Sequence, residues 1–228
     1  YYSESLKLFW KNKLAVLSLL ILAILAVSAL LAPVLTPYDP NKQVLADKLL
    51  FPSSEHLFGT DEFGRDILSR IIYGSRISMI VAVGATIVGA IIGVLIGLTA
   101  GYFGGWIDAV LMRIMDGMFS FPFILLAMIL ITVLGNGVMN VILAIGIASV
   151  PGFARVTRGQ VLIVKEEEYC NACRVVGVSP VRLLFLHILP NCVSQIIVYA
   201  TLRIASAIIS EASLSFLGLG IALPTASW

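Results

Sequence analysis

Five stretches of this chain are almost wholly apolar, each near the length that crosses a bilayer. They are residues 14–35, 77–100, 111–134, 138–153 and 192–217; about 20 apolar residues suffice for one helical span. Pro33 and Pro37 stop the first. The third carries Arg113 and Asp116 near its start and Pro122 inside, and the pattern of the fourth continues past Arg155 toward Val164. Two polar segments break the series. Residues 36–76 open on turn chemistry, Pro37-Tyr38-Asp39-Pro40-Asn41, and predict a short helix over 67–73. Residues 165–190 form a charged, helix-prone island. Charge at the bilayer centre costs about 2.5–3.5 kcal/mol per residue, so the island belongs outside the lipid.

The island predicts two short helices. Residues 166–176 begin with Glu166, Glu167 and Glu168, where negative charge suits the helix dipole. Gly177 is a stop in the left-handed conformation. Ser179 caps a second helix, Pro180 fits its first position, and the helix breaks near Pro190. Tyr169, Ala172, Cys173 and Val176 share one face at helical spacing. That face is small and moderately apolar, suited to a groove on a partner or to the lipid surface.

Composition agrees with a membrane protein. The 228 residues are 59% hydrophobic and only 12% charged, against about 25% charged in a soluble domain. A net charge of +2 gives no reason to expect nucleic acid. Lys7, Lys11 and Lys13 before the first span, and Arg155, Arg158, Lys165, Arg174 and Arg182 around the island, predict one topology. Residues 1–13 and the island face the cytoplasm; the 36–76 loop, without a basic excess, faces outward as a solvated loop or a docking surface. The chain begins at Tyr1 without a cleavable signal pattern and reads as trimmed. A sixth span is expected after Trp228.

Candidate chemistry is sparse. Ionisable groups within the spans are few, Asp116, Arg203 and Glu211 among them, and they form no proton relay. Cys170-x-x-Cys173 lacks a second pair and reads as small apolar residues on a helix rather than a metal site. No hydrolytic or phosphate-binding motif is present, so energy must come from elsewhere. Gly89, Gly93, Gly97 and Gly101 fall four apart, a smooth row for close helix packing, against another span of this chain or against a moving neighbour.

Specific segments carry a resemblance. Ala172, Gly177 and Leu189-Pro190 match the EAA loop of ABC importer permeases; Asn171, Cys173 and His187 depart from it. Phe58-Gly59-Thr60-Asp61-Glu62-Phe63-Gly64-Arg65-Asp66, Ala100-Gly101-Tyr102-Phe103-Gly104-Gly105 and Leu214-Ser215-Phe216-Leu217-Gly218-Leu219-Gly220 resemble the second (C-type) permease subunit of dipeptide, oligopeptide and nickel importers. The resemblance implies an all-α polytopic bundle of the type I importer kind, with the first span at 14–35 and a permease domain over 77–228. It implies an inner-membrane subunit pairing with a related permease, two cytoplasmic ATPases and an external substrate-binding protein. This chain would hold no cofactor or metal; ATP and magnesium would sit in the ATPases. Glu168, Tyr169, Ala172, Cys173, Gly177 and Val178 would enter the ATPase groove, with Ser179, Pro180 and Arg182 supporting the elbow. A secondary transporter remains the alternative class.

Overall fold

The apolar stretches form long helices because a backbone in lipid must satisfy its own hydrogen bonds. The computed structural model describes residues 9–221 and 224–228; Lys7 and the rest of 1–8 lie outside them. Among these residues there are helices and no strands. They are α1 (Lys13–Leu30), α2 (Ala32–Leu35), α3 (Ile67–Phe103), α4 (Gly105–Phe119), α5 (Phe123–Leu134), α6 (Val138–Val164), α7 (Glu168–Val175), α8 (Pro180–Leu183) and α9 (Leu189–Phe216). Four long helices, with α8 and α9 read as one, are apolar enough to cross a membrane, and the bent pair α4–α5 makes a fifth candidate. The expectation of an all-α, multi-pass protein holds.

The chain divides into two units, residues 1–79 with 223–228, and residues 80–222. In the first, α1 leaves most of its leucines and isoleucines exposed, as a lipid-facing span does. The connection after it is built on two carboxylates. Asp61 accepts from the amides of Phe63 and Arg65 and from Arg65 Nε at 2.7 Å. Burial works to raise its carboxyl, but the Arg65 and Phe63 amides and the Arg65 guanidinium outweigh it and hold the group below the usual carboxylate range. Asp66 accepts from the Ser69 amide at 2.8 Å and lies 2.9 Å from His56 Nδ1. The sequence predicts a separate helix over 67–73. Instead α3 runs unbroken from Ile67 to Phe103, since nothing between Tyr73 and Ile77 denies the backbone its next helical bond.

In the second unit, α9, α5 and α4 all pack on α6. Consecutive glycines with positive φ, Gly104 (64°) and Gly105 (55°), turn the chain sharply between α3 and α4. The third predicted span, 111–134, is not one helix. It splits at Ser120–Pro122, and its halves meet at 91°. Pro122 has no amide to continue the ladder and excludes helical geometry from Phe121. Arg158 pairs bidentately with Asp108 at 2.5 and 2.6 Å, and Arg155 with Asp116 at 2.6 Å. These pairs fasten α4 to α6.

The island also differs in two details. Its first helix begins at Glu168, because Glu166 and Glu167 donate to Ile163 and Val164 and finish α6 with a tight turn. The predicted break near Pro190 is absent. A π-helical turn, Leu184–Ile188, joins α8 to α9, and the Leu189 amide reaches back to the Leu184 carbonyl. Widening the helix ahead of Pro190 relieves the clash that a proline ring makes with the preceding turn.

Candidate functional site

The elbow, 165–190, has a firm base and an apolar tip. Its base is the cluster of Leu98, Val161, Val164, Cys170, Leu183, Leu184, Ile188 and Cys192, with Cys173 and Val178 packed against it. Residues of α3, α6 and α9 thus meet under the elbow. Polar ties reinforce them. Lys165 Nζ donates to the Gly101 carbonyl at 3.0 Å. Arg174 donates to Asn171 Oδ1 at 2.7 Å and to the Lys165 carbonyl at 3.1 Å. Asn191 Nδ2 donates to the Tyr169 hydroxyl at 3.0 Å, joining α7 to α9. Burial, with Cys170 next in effect, pushes the Tyr169 phenol up to about 12.

Gly177 closes α7 with two bonds. Its amide donates to Arg174 O at 3.1 Å, and the Val178 amide donates to Cys173 O at 3.0 Å. This pairing is a Schellman motif, with Gly177 at φ 81°. The predicted cap is not made: Ser179 stands at the start of α8, but its side chain makes no capping bond. The Ser179 carbonyl accepts from Leu183 at 2.9 Å.

The predicted groove face is divided by this packing. Ala172 and Val176 point outward, Tyr169 is partly exposed, and Glu168, Ser179, Pro180 and Arg182 are exposed. Cys173 and Val178 turn toward the base. Helical spacing alone groups Cys173 with Tyr169 and Ala172, but the base beneath Cys170 draws it inward. The most exposed apolar residues of the elbow are Val175 (88% exposed), Val176 (82%) and Val181 (64%), followed by Leu186 (61%). Val175 and Val181 escaped the sequence reading, though three valines in a charged segment are a visible signal. Exposed valines beside a glycine turn are open to a partner's groove or to the lipid surface.

On the importer reading that the resemblance implies, Gly177→Leu should separate ATP hydrolysis from uptake. A Cβ there meets nothing within 4 Å, so the substitution acts through backbone conformation, at about 1–2 kcal/mol. Gly177→Asn, which tolerates the left-handed region, should retain most uptake. Uptake and ATPase rate, measured at matched membrane abundance, check this; normal uptake by the leucine variant contradicts it.

The glycine row finds its neighbour in α6. A Cβ on Gly93 would stand 2.5 Å from Phe153 Cβ, one on Gly97 2.5 Å from the Ala154 carbonyl, and one on Gly101 2.8 Å from Val161 Cβ. One on Gly89 would strike Ser149. The row serves packing within the subunit. Among the described residues, no three His, Cys, Asp or Glu side chains are placed to hold a metal ion.

Residues 93–228 match the family of binding-protein-dependent transport system inner membrane components. Residues 1–52 match the N-terminal TM domain of oligopeptide transport permease C. The chain belongs to this family of inner-membrane permeases, and to its C-type branch. It is 45% identical over all 228 residues to the glutathione transport system permease protein GsiD of Escherichia coli O6:K15:H31 (strain 536 / UPEC), covering 75% of that relative. It is 46% identical, with the same coverage, to GsiD of Shigella flexneri serotype 5b (strain 8401).

Proposed function

We propose that this chain forms half of an import pathway for a small peptide of the glutathione kind, driven by two ATPases that grip the 165–190 elbow. One observation carries the reading. The elbow presents Val175, Val176 and Val181 outward on a base fastened to α3, α6 and α9. A partner that seats the valines and moves would move three spans with them. The printed names of the relatives support the cargo class. The basic residues Lys11, Lys13, Arg155, Arg158 and Lys165 support a cytoplasmic N-terminus and elbow, and an outward-facing 36–76 connection.

The other members of the assembly follow from this reading: a related permease completing the pathway, and a binding protein delivering cargo from outside. ATP and magnesium belong to the ATPases. Cells lacking the natural importer, supplied with the whole complex, test the reading with labelled glutathione, a dipeptide and a nickel complex. We expect peptide uptake that survives a protonophore while ATP is maintained and stops when the ATPases are inactivated. Uptake that collapses with the proton gradient at constant ATP would instead make this an ion-coupled transporter. Uptake of nickel alone would move the cargo class.

A further inference from the structure

Arg203 sits near the middle of α9. At 1.5 Å per residue it lies about 21 Å along the axis from Leu189 and about 20 Å from Phe216. A permanent charge so far from either end of a span is costly and marks function by default. Two arginines of α6 show how such a charge is settled by a partner: Arg155 and Arg158 hold Asp116 and Asp108. None of the ion pairs among the described residues includes Arg203. Its Nε is shielded from solvent and has no hydrogen-bond partner. Its guanidinium carbon rests 4.6 Å from the centre of the Phe123 ring.

Phe123 is the first residue of α5, directly after the break in the bent pair. Pro122 caps α5 without a side-chain bond. The first helical bond runs from the Leu126 amide to the Pro122 carbonyl at 3.0 Å. The amides of Phe123, Ile124 and Leu125 therefore have no acceptor within their own helix, and they lie at its positive end. Tyr199, Ser206 and Ser210 share the Arg203 face of α9 at helical spacing. A guanidinium without a carboxylate thus lies over the first residue of a broken helix, on a polar stripe.

We infer that Arg203 receives the carboxylate of the cargo in transit, beside the amino end of α5. The inference rests on the peptide reading above and names the group of the peptide that is recognised. An arginine fork matches a carboxylate bidentately, and desolvation by Phe123 strengthens the contact. The Phe123 ring also holds the guanidinium in place before cargo arrives.

The test uses the whole complex in proteoliposomes with two peptides, both first shown to bind the binding protein. One has a free C-terminal carboxylate and the other is its amide. Arg203→Gln should lower uptake of the acid at least tenfold while changing uptake of the amide less than twofold. Arg203→Lys should recover part of the loss, because it keeps the charge but not the fork. Uptake is normalised to assembled complex and read beside ATPase activity. Equal loss for both peptides would overturn the inference and make Arg203 a packing or subunit-pairing residue. No loss for either would place it off the path. Wild-type vesicles that accumulate neither peptide would overturn the peptide reading itself, before any variant is compared.

Discussion

Gly97→Leu should nearly abolish the chain from the membrane. A Cβ on Gly97 would lie 2.5 Å from the Ala154 carbonyl, 2.7 Å from Thr157 Cβ and 3.0 Å from the Arg158 amide. Two of these atoms are backbone of α6 and have no rotamer to change. The helices must part, and parting them also opens the contacts at Gly93 and Gly101. Overpacking costs about 1–3 kcal/mol where side chains can yield; backbone against backbone should exceed that range. It would also pull Arg158 from Asp108, since Arg158 stands at this crossing. Gly159→Leu is the internal control, for a Cβ there meets nothing within 4 Å. Membrane abundance and monodispersity in detergent decide the matter. A well-folded Gly97→Leu protein at wild-type abundance would remove the α3–α6 crossing from the fold.

Replacing Val175 and Val176 together by aspartate should leave the chain folded and deprive it of its motor. Both side chains are exposed in the isolated subunit, and neither belongs to the elbow's base. Each valine fully buried in a groove is worth at least about 1.5 kcal/mol. Losing two lowers affinity about a hundredfold, and a carboxylate facing an apolar groove adds its own desolvation cost. The permease should accumulate normally while the ATPases no longer co-purify and uptake stops. Aspartates that leave both assembly and uptake intact would show that the valines face water or lipid instead. Val175→Ala and Val176→Ala should fall between, because they remove contact area without adding charge.

The sequence made some of this visible and hid the rest for physical reasons. Gly177 was legible as a left-handed stop, because a glycine after a helix-length segment and before Ser-Pro admits few other conformations. The α3 glycine row was legible as a packing face, but spacing alone did not name α6 as its neighbour. The Arg158–Asp108 pair joins residues 50 positions apart, beyond any local periodicity. Pro122 was visible inside a span, yet the size of the bend depends on what α6 offers each half. The elbow shows the limit most plainly. Helical spacing put Tyr169, Ala172, Cys173 and Val176 together, while Cys170, Cys173 and Val178 turn toward a base supplied by Leu98, Val161 and Leu183. In an eight-residue helix whose apolar residues spread over more than one face, the neighbours decide which of them is buried.

A photo-crosslinking residue placed at position 176 in the assembled transporter addresses the coupling role most directly. Irradiation in native membranes should join this chain to an ATPase subunit in high yield. The same probe at Val198, on the exposed side of α9, should not. Crosslinks at 176 that reach only lipid, or only the substrate-binding protein, would contradict the elbow's place in the ATPase groove.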